Sequence, residues 1–74
     1  MIDNFQTVQS VMRAIGARNL FDADRKLGFA LGHVSRCRNG QRGIRSLFFR
    51  TCLYLDEKPS ALMKRLGVSK RELL

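Results

Sequence analysis

Apolar residues recur at intervals of three and four along nearly the whole chain, and the alternating runs that a half-buried strand needs are missing, so the pattern predicts helices throughout. Phe5, Val8, Met12 and Ile15 form the first stripe. With Asp3 or Asn4 as N-cap and Gly16 as the stop, they predict a helix over about residues 5–15. Asn19 is placed to accept from the free N–H groups of a second helix, Leu20 to Leu27. Asp22, three residues on, takes the capping-box position and suits the positive end of the helix dipole. Gly28 can adopt a positive φ, and the chain is expected to turn through Phe29 into a third helix that starts near Leu31 and ends at Asn39-Gly40. A fourth helix, about residues 45–55, places Ile44, Leu47, Phe48, Cys52 and Leu55 on one face and Phe49 and Leu53 on a second apolar strip. It is therefore either the central core helix or one that also meets a partner chain. Pro59 suits the first position of a fifth helix carrying Leu62, Met63 and Leu66 and stopped by Gly67. Val68, Ser69, Glu72 and Leu73 fit a hydrophobic staple around a capping box, which predicts a last short helical turn.

The expected architecture is an all-α, compact bundle of about five short helices, one domain over residues 1–74 with a C-terminal extension at 67–74. At 74 residues the chain is too short for a deep substrate cavity within a large core, which argues against an enzyme. Cys37 and Cys52 are expected to be reduced core residues, because the N-terminus Met1-Ile2-Asp3-Asn4 does not read as a signal peptide that would carry them to an oxidising compartment. One histidine, His33, and no CxxC pair supply too few ligands for a structural zinc, so neither a metal nor a cofactor is expected. No apolar run is long enough to span a bilayer, and a cytoplasmic location without membrane association is the expectation.

Charge changes the picture more than composition does. The net charge is +8, and residues 25–50 hold Arg25, Lys26, Arg36, Arg38, Arg42, Arg45 and Arg50 with no acidic residue among them. A one-sign stretch within a folded chain makes a positive face that concentrates polyanions and speeds their encounter, so nucleic acid is the leading partner. Arg25 and Lys26 are read as solvated side chains of the second helix, and His33 as a rim contact or a partly packed residue.

The passage from Ala23 to Gly40 has the spacing of a helix-turn-helix, with Leu27 late in the first helix, Gly28 in the turn, Phe29 after it, and Val34 and Cys37 inside the second helix. With the run Val34-Ser35-Arg36 and the close at Asn39-Gly40, it resembles the lambda-repressor-like family of Cro/Xre-type DNA-binding domains, the motif covering about residues 20–39 and the likeness about 5–66. Three positions depart from that pattern. Asp24 stands where the family places a small alanine, Leu20 where it presents a polar residue to a phosphate, and Leu31 where it reads a base with an amide.

The resemblance implies a sequence-specific regulator of transcription that binds double-stranded operator DNA, a repressor or Cro-like protein of phage or bacterial type. It implies that the third helix lies in the major groove with Leu31, Gly32, Ser35 and Arg36 toward base edges. Arg36 is then the leading base reader through a bidentate contact to guanine, and Leu31 can meet a thymine methyl. Arg38, Asn39, Gln41 and Arg42, by side chain and backbone N–H, are implied to hold the sugar-phosphate backbone. A homodimer is expected because a two-fold pair matches a palindromic operator, with Phe49, Leu53, Leu73 and Leu74 as contact candidates. The alternative is a protein-interaction module, an antirepressor or antitoxin subunit, with a protein partner on the same fold. A second imitation of the motif, Ser60 to Leu74, ends too early to cover its would-be recognition helix and is read as a packing extension.

Overall fold

The computed structural model describes residues 3–73. Among them are six helices and no strand: α1 (Asn4–Ile15), α2 (Leu20–Leu27), α3 (His33–Arg38), α4 (Arg45–Leu55), α5 (Pro59–Leu66) and α6 (Lys70–Leu73). The all-α bundle expected from the spacing is what forms, with the terminal turn as a sixth element.

Local signals set most boundaries. The Asp3 carboxylate accepts from the Gln6 N–H at 2.8 Å and starts α1, while Asn19 Oδ1 accepts from the Asp22 N–H at 2.8 Å and starts α2. Helices α1, α2 and α5 stop at Gly16, Gly28 and Gly67, each left-handed. The register of α1 differs from the predicted stripe. Its buried face is Thr7, Val8, Val11 and Ile15, while Phe5 is half exposed and Met12 only partly buried. Thr7 can occupy the interior because its hydroxyl donates to the Asp3 carbonyl at 3.0 Å, leaving no unpaired polar group.

Helix α4 runs through the centre of the bundle and packs against α1, α2, α5 and α6. Leu47 and Phe48 are fully buried beside Val8, Val11, Val34 and Leu62, and the buried Thr51 hydroxyl returns to the Leu47 carbonyl at 2.7 Å. Both cysteines are buried and unbridged, Cys37 on α3 and Cys52 on α4. The second strip of α4 is not part of this core, since Phe49 and Leu53 remain 40% and 78% exposed. Around α6, Glu72 accepts from the Ser69 N–H at 3.4 Å, and Val68 and Leu73 close the core from below. Leu73 is thereby corrected as a dimer candidate: its side chain is spent on its own domain. Leu74 lies outside the described residues.

No side chain in the motif is more enclosed than Val34, which is shut between α3 and the other helices. Val34→Asp buries an unpaired charge there, a cost of several kcal/mol against the roughly 5 kcal/mol or more that holds a small domain together. The expected result is loss of the cooperative thermal transition by circular dichroism; a melt close to the parent's would place residue 34 at the surface.

Candidate nucleic-acid interface

The third helix starts later than its apolar pattern suggests. Leu31 and Gly32 form a turn, and α3 begins at His33 with Gly32 as N-cap. Glycine is required at position 32 because its φ is +92°, where an L side chain is strained, although the space around it is open. A glycine N-cap has no side chain to accept from the first N–H groups, and Asp24 of α2 supplies one instead. The fully buried Asp24 carboxylate accepts from the Gly32 N–H and from the Val34 N–H, both at 2.9 Å. The His33 N–H donates to the Ala30 carbonyl at 3.2 Å, so the Gly32, His33 and Val34 donors at the opening of α3 are satisfied within the chain. The small residue that the crossing needs is Ala23, also fully buried.

The turn is covered from outside by α4. Arg50 Nη1 donates to the Leu27 carbonyl at 3.0 Å, and its guanidinium lies 5.2 Å from the centre of the Phe29 ring. A Cβ at Gly28, where φ is +75°, would come within 3.0 Å of that nitrogen. The His33 imidazole also stacks on Phe29, at 3.9 Å and 16°. Its Nε2 is closed off from solvent with no hydrogen-bond partner among the described residues.

Of the residues assigned to base reading, two are well exposed. Leu31 is 68% exposed, Arg36 is exposed, and Ser35 and Gly32 are half-buried. The Arg36 guanidinium folds back toward the start of α3, within 3.8 Å of where a Gly32 Cβ would stand. The residues assigned to phosphate divide. Asn39, Gln41 and Arg42 are exposed, whereas Arg38 is drawn toward α1, its guanidinium 6.0 Å from the Phe5 ring centre. The backbone donors of this loop are engaged internally: the Asn39 N–H on the Ser35 carbonyl, the Gly40 N–H on Cys37, and the Gln41 and Arg42 N–H groups on Arg36. That corrects the expectation of backbone contacts at Asn39, Gln41 and Arg42, where only side chains remain free to reach a phosphate. The Arg42 carbonyl accepts from Asn4 Nδ2 at 3.4 Å, which ties the loop to α1.

Sequence reasoning missed Phe21. It is 64% exposed and shares a shallow cleft with Leu31, Arg18 and Arg25, while Leu20 turns inward onto the core. The signal was the Asn19 cap, which fixes the helix register and so decides which of two adjacent apolar residues faces out. Arg25 and Lys26 lie 3.4 and 3.9 Å from Asp22 oxygens, contacts that exposure renders weak for Arg25. The Asp22 carboxyl is held below its ordinary pKa first by the Arg18 N–H it accepts, then by the nearby Lys26, Arg18 and Arg25 charges, against the opposing effect of burial. Among the described residues no three His, Cys, Asp or Glu side chains gather as metal ligands, and no helix is long and apolar enough to cross a membrane. Comparison of the chain with protein-family models, with curated proteins and with solved structures finds no match in any of the three.

Two outcomes are expected. Asp24→Ala leaves two N–H groups at the start of α3 unpaired and lowers unfolding free energy by about 3 kcal/mol. Urea denaturation measures it, and a loss under about 1 kcal/mol would contradict the role given to the carboxylate. The second concerns His33, whose protonation is disfavoured by burial and by the Arg42, Arg36 and Arg50 charges, with Asp24 acting in the opposite sense. The unfolded chain takes up this proton near pH 6.5 and the folded one only at lower pH, so stability declines as pH falls below about 6.5 and levels once the folded form is protonated. Urea melts between about pH 7.5 and 5 are expected to show that decline in the parent and a flat profile in His33→Gln.

Proposed function

We propose that this chain binds double-stranded DNA as a transcriptional regulator of the lambda-repressor-like kind, with α3 presented to the major groove. The observation that carries the reading is the combination at α3: a short helix locked to α2 by Asp24, its outer edge bearing Arg36, Ser35 and Leu31, and Arg42 on the adjoining loop. Asp24 is turned inward, so the outer edge of α3 and its loop carry cations and no carboxylate. Such an edge attracts phosphates, and a guanidinium on it can fork onto guanine O6 and N7. Leu31 adds an apolar contact of the size of a thymine methyl. The repressor role expected from the resemblance belongs to this proposal.

A second reading, a protein-interaction module, is favoured by one feature, the pair of exposed apolar side chains Phe21 and Leu31 in one cleft. A salt titration against duplexes selected from a random pool and against random duplex separates the two. Binding that weakens steeply with salt and prefers the selected sequence supports DNA recognition, and no selected sequence with salt-insensitive capture of protein supports the other.

Arg36→Ala is expected to weaken binding to the selected duplex by about 1–3 kcal/mol and to flatten preference at one base pair. Arg42→Ala is expected to weaken selected and random duplexes alike. Equal losses on both duplexes for Arg36→Ala would remove the base-reading role from Arg36.

A further inference from the structure

An open cleft of about 330 Å³ lies between the start of α3 and one side of α4, at the lower end of the size range of small-molecule sites. Phe29 and His33 line it from the first side, and Arg45, Ser46, Phe49, Arg50 and Leu53 from the second. Its apolar and its polar groups are both left with unused capacity. Phe49 and Leu53 are exposed and stand outside the core. Arg45 is exposed and, among the described residues, belongs to no ion pair. Arg50 engages the Leu27 and Gly28 carbonyls through Nη1 alone, so its Nη2 and Nε have no hydrogen-bond partner among the described residues. His33 Nε2 is buried without a partner among them, a cost that falls when something pairs it. No acidic side chain lines the cleft, and Asp24 is committed to the Gly32 and Val34 N–H groups.

We infer that this cleft is a binding site for a small aromatic carboxylate, its ring against Phe49 and Leu53 and its carboxylate on Arg45 and Arg50. A guanidinium forks onto a carboxylate, and here two of them line one cleft with no acid to answer them. Arg45 also stands in the first turn of α4, the end where the helix dipole disfavours a cation and favours an anion beside it. A flat ring suits a wall made of a phenyl ring and a leucine, and the Ser46 hydroxyl remains to hold a further polar atom. Other occupants satisfy half of these groups. A bare inorganic anion leaves Phe49 and Leu53 uncovered, a neutral apolar molecule leaves two guanidinium groups without counter-charge, and a protein segment needs a larger surface than a cleft of this size offers. The position gives the ligand a route to α3. Arg50 holds the carbonyl end of α2 and His33 is the first residue of α3, so a carboxylate on Arg50 bears on the joint between the two helices.

Neither the cleft nor its test depends on DNA recognition. The isotope-labelled full chain is titrated by NMR, near neutral pH and without DNA, with benzoate, phenylacetate and indole-3-acetate. Indole-3-acetamide, which keeps the ring and loses the charge, and acetate and inorganic phosphate, which keep charge and lose the ring, serve as matched probes. At least one aromatic acid is expected to give saturable shifts centred on His33, Ser46, Phe49, Arg50 and Leu53, and to bind on the order of tenfold more tightly than any matched probe. Arg45→Gln and Leu53→Ser, both at exposed positions, are each expected to weaken that binding by about fivefold, with circular dichroism melts showing both variants folded. Four results overturn the inference. None of the three acids saturates; acetate or phosphate binds as well as they do, which makes the site a simple anion contact; the amide matches the acid, which makes it an uncharged apolar patch; or the shifts centre on the cleft of Phe21 and Leu31 instead. Binding unmoved in both folded variants overturns it too.

Discussion

A single carboxylate joins the two halves of the motif. Asp24 is fully buried, and its two oxygens take the Gly32 and Val34 N–H groups at the start of α3. Because Gly32 has no side chain, α3 would otherwise begin with exposed or unpaired donors. Because α3 is only six residues long, it has little intrinsic tendency to form alone. The orientation of α3 therefore depends on α2, and the side chains on its outer edge inherit their positions from a residue on the inner side of the neighbouring helix. Arg50 secures the same joint from the other direction by binding the carbonyl end of α2. The arrangement also occupies the positive end of α3 with an internal anion. Whatever anion α3 meets must be drawn by Arg36 and Arg42 rather than by the helix terminus.

Most of the chain's organisation was legible because it is punctuated locally. Asp3, Asn19, Gly16, Gly28, Pro59 and Gly67 act through hydrogen bonds and dihedral preferences within a few residues, and the helices start and stop where these stand. What was not legible depended on partners distant in sequence. Asp24 departs from the small residue expected by resemblance, and nothing within four residues of it reveals that its oxygens will meet positions 32 and 34. The α1 stripe was read through Phe5 and Met12 because spacing alone fits several adjacent faces of a helix, whereas the packed face is that of Thr7, Val8, Val11 and Ile15. Leu73 reads as an available apolar tail until the core shows that it has room for it.

The site was legible to a similar degree. Composition put the cations in the middle third, and the motif spacing put Leu31, Ser35 and Arg36 toward the outside; Leu31 and Arg36 are exposed and Ser35 is half-buried. It gave no sign that the Asn39, Gly40, Gln41 and Arg42 N–H groups would fold back onto Ser35, Arg36 and Cys37, so that side chains rather than these backbone donors face outward there. Nor did it show that Arg38 would lean on Phe5 and Arg50 on Phe29, so that two of the seven mid-chain cations are partly absorbed by aromatic faces. Their charge remains, but their guanidinium groups are less free to reorient onto a ligand.

The two thiols give the domain a built-in means of being watched. Cys37 lies on the inner face of α3 and Cys52 on α4, and burial pushes both thiols above their ordinary pKa. A buried, protonated sulfur is a poor nucleophile, so each stays silent toward an alkylating reagent while its surroundings are closed. Because they sit on different helices, transient openings of α3 and of the central helix leave separate chemical records in the same molecule. A native chain thus carries two clocks, and the difference between their rates measures how far α3 can detach before the rest of the bundle follows.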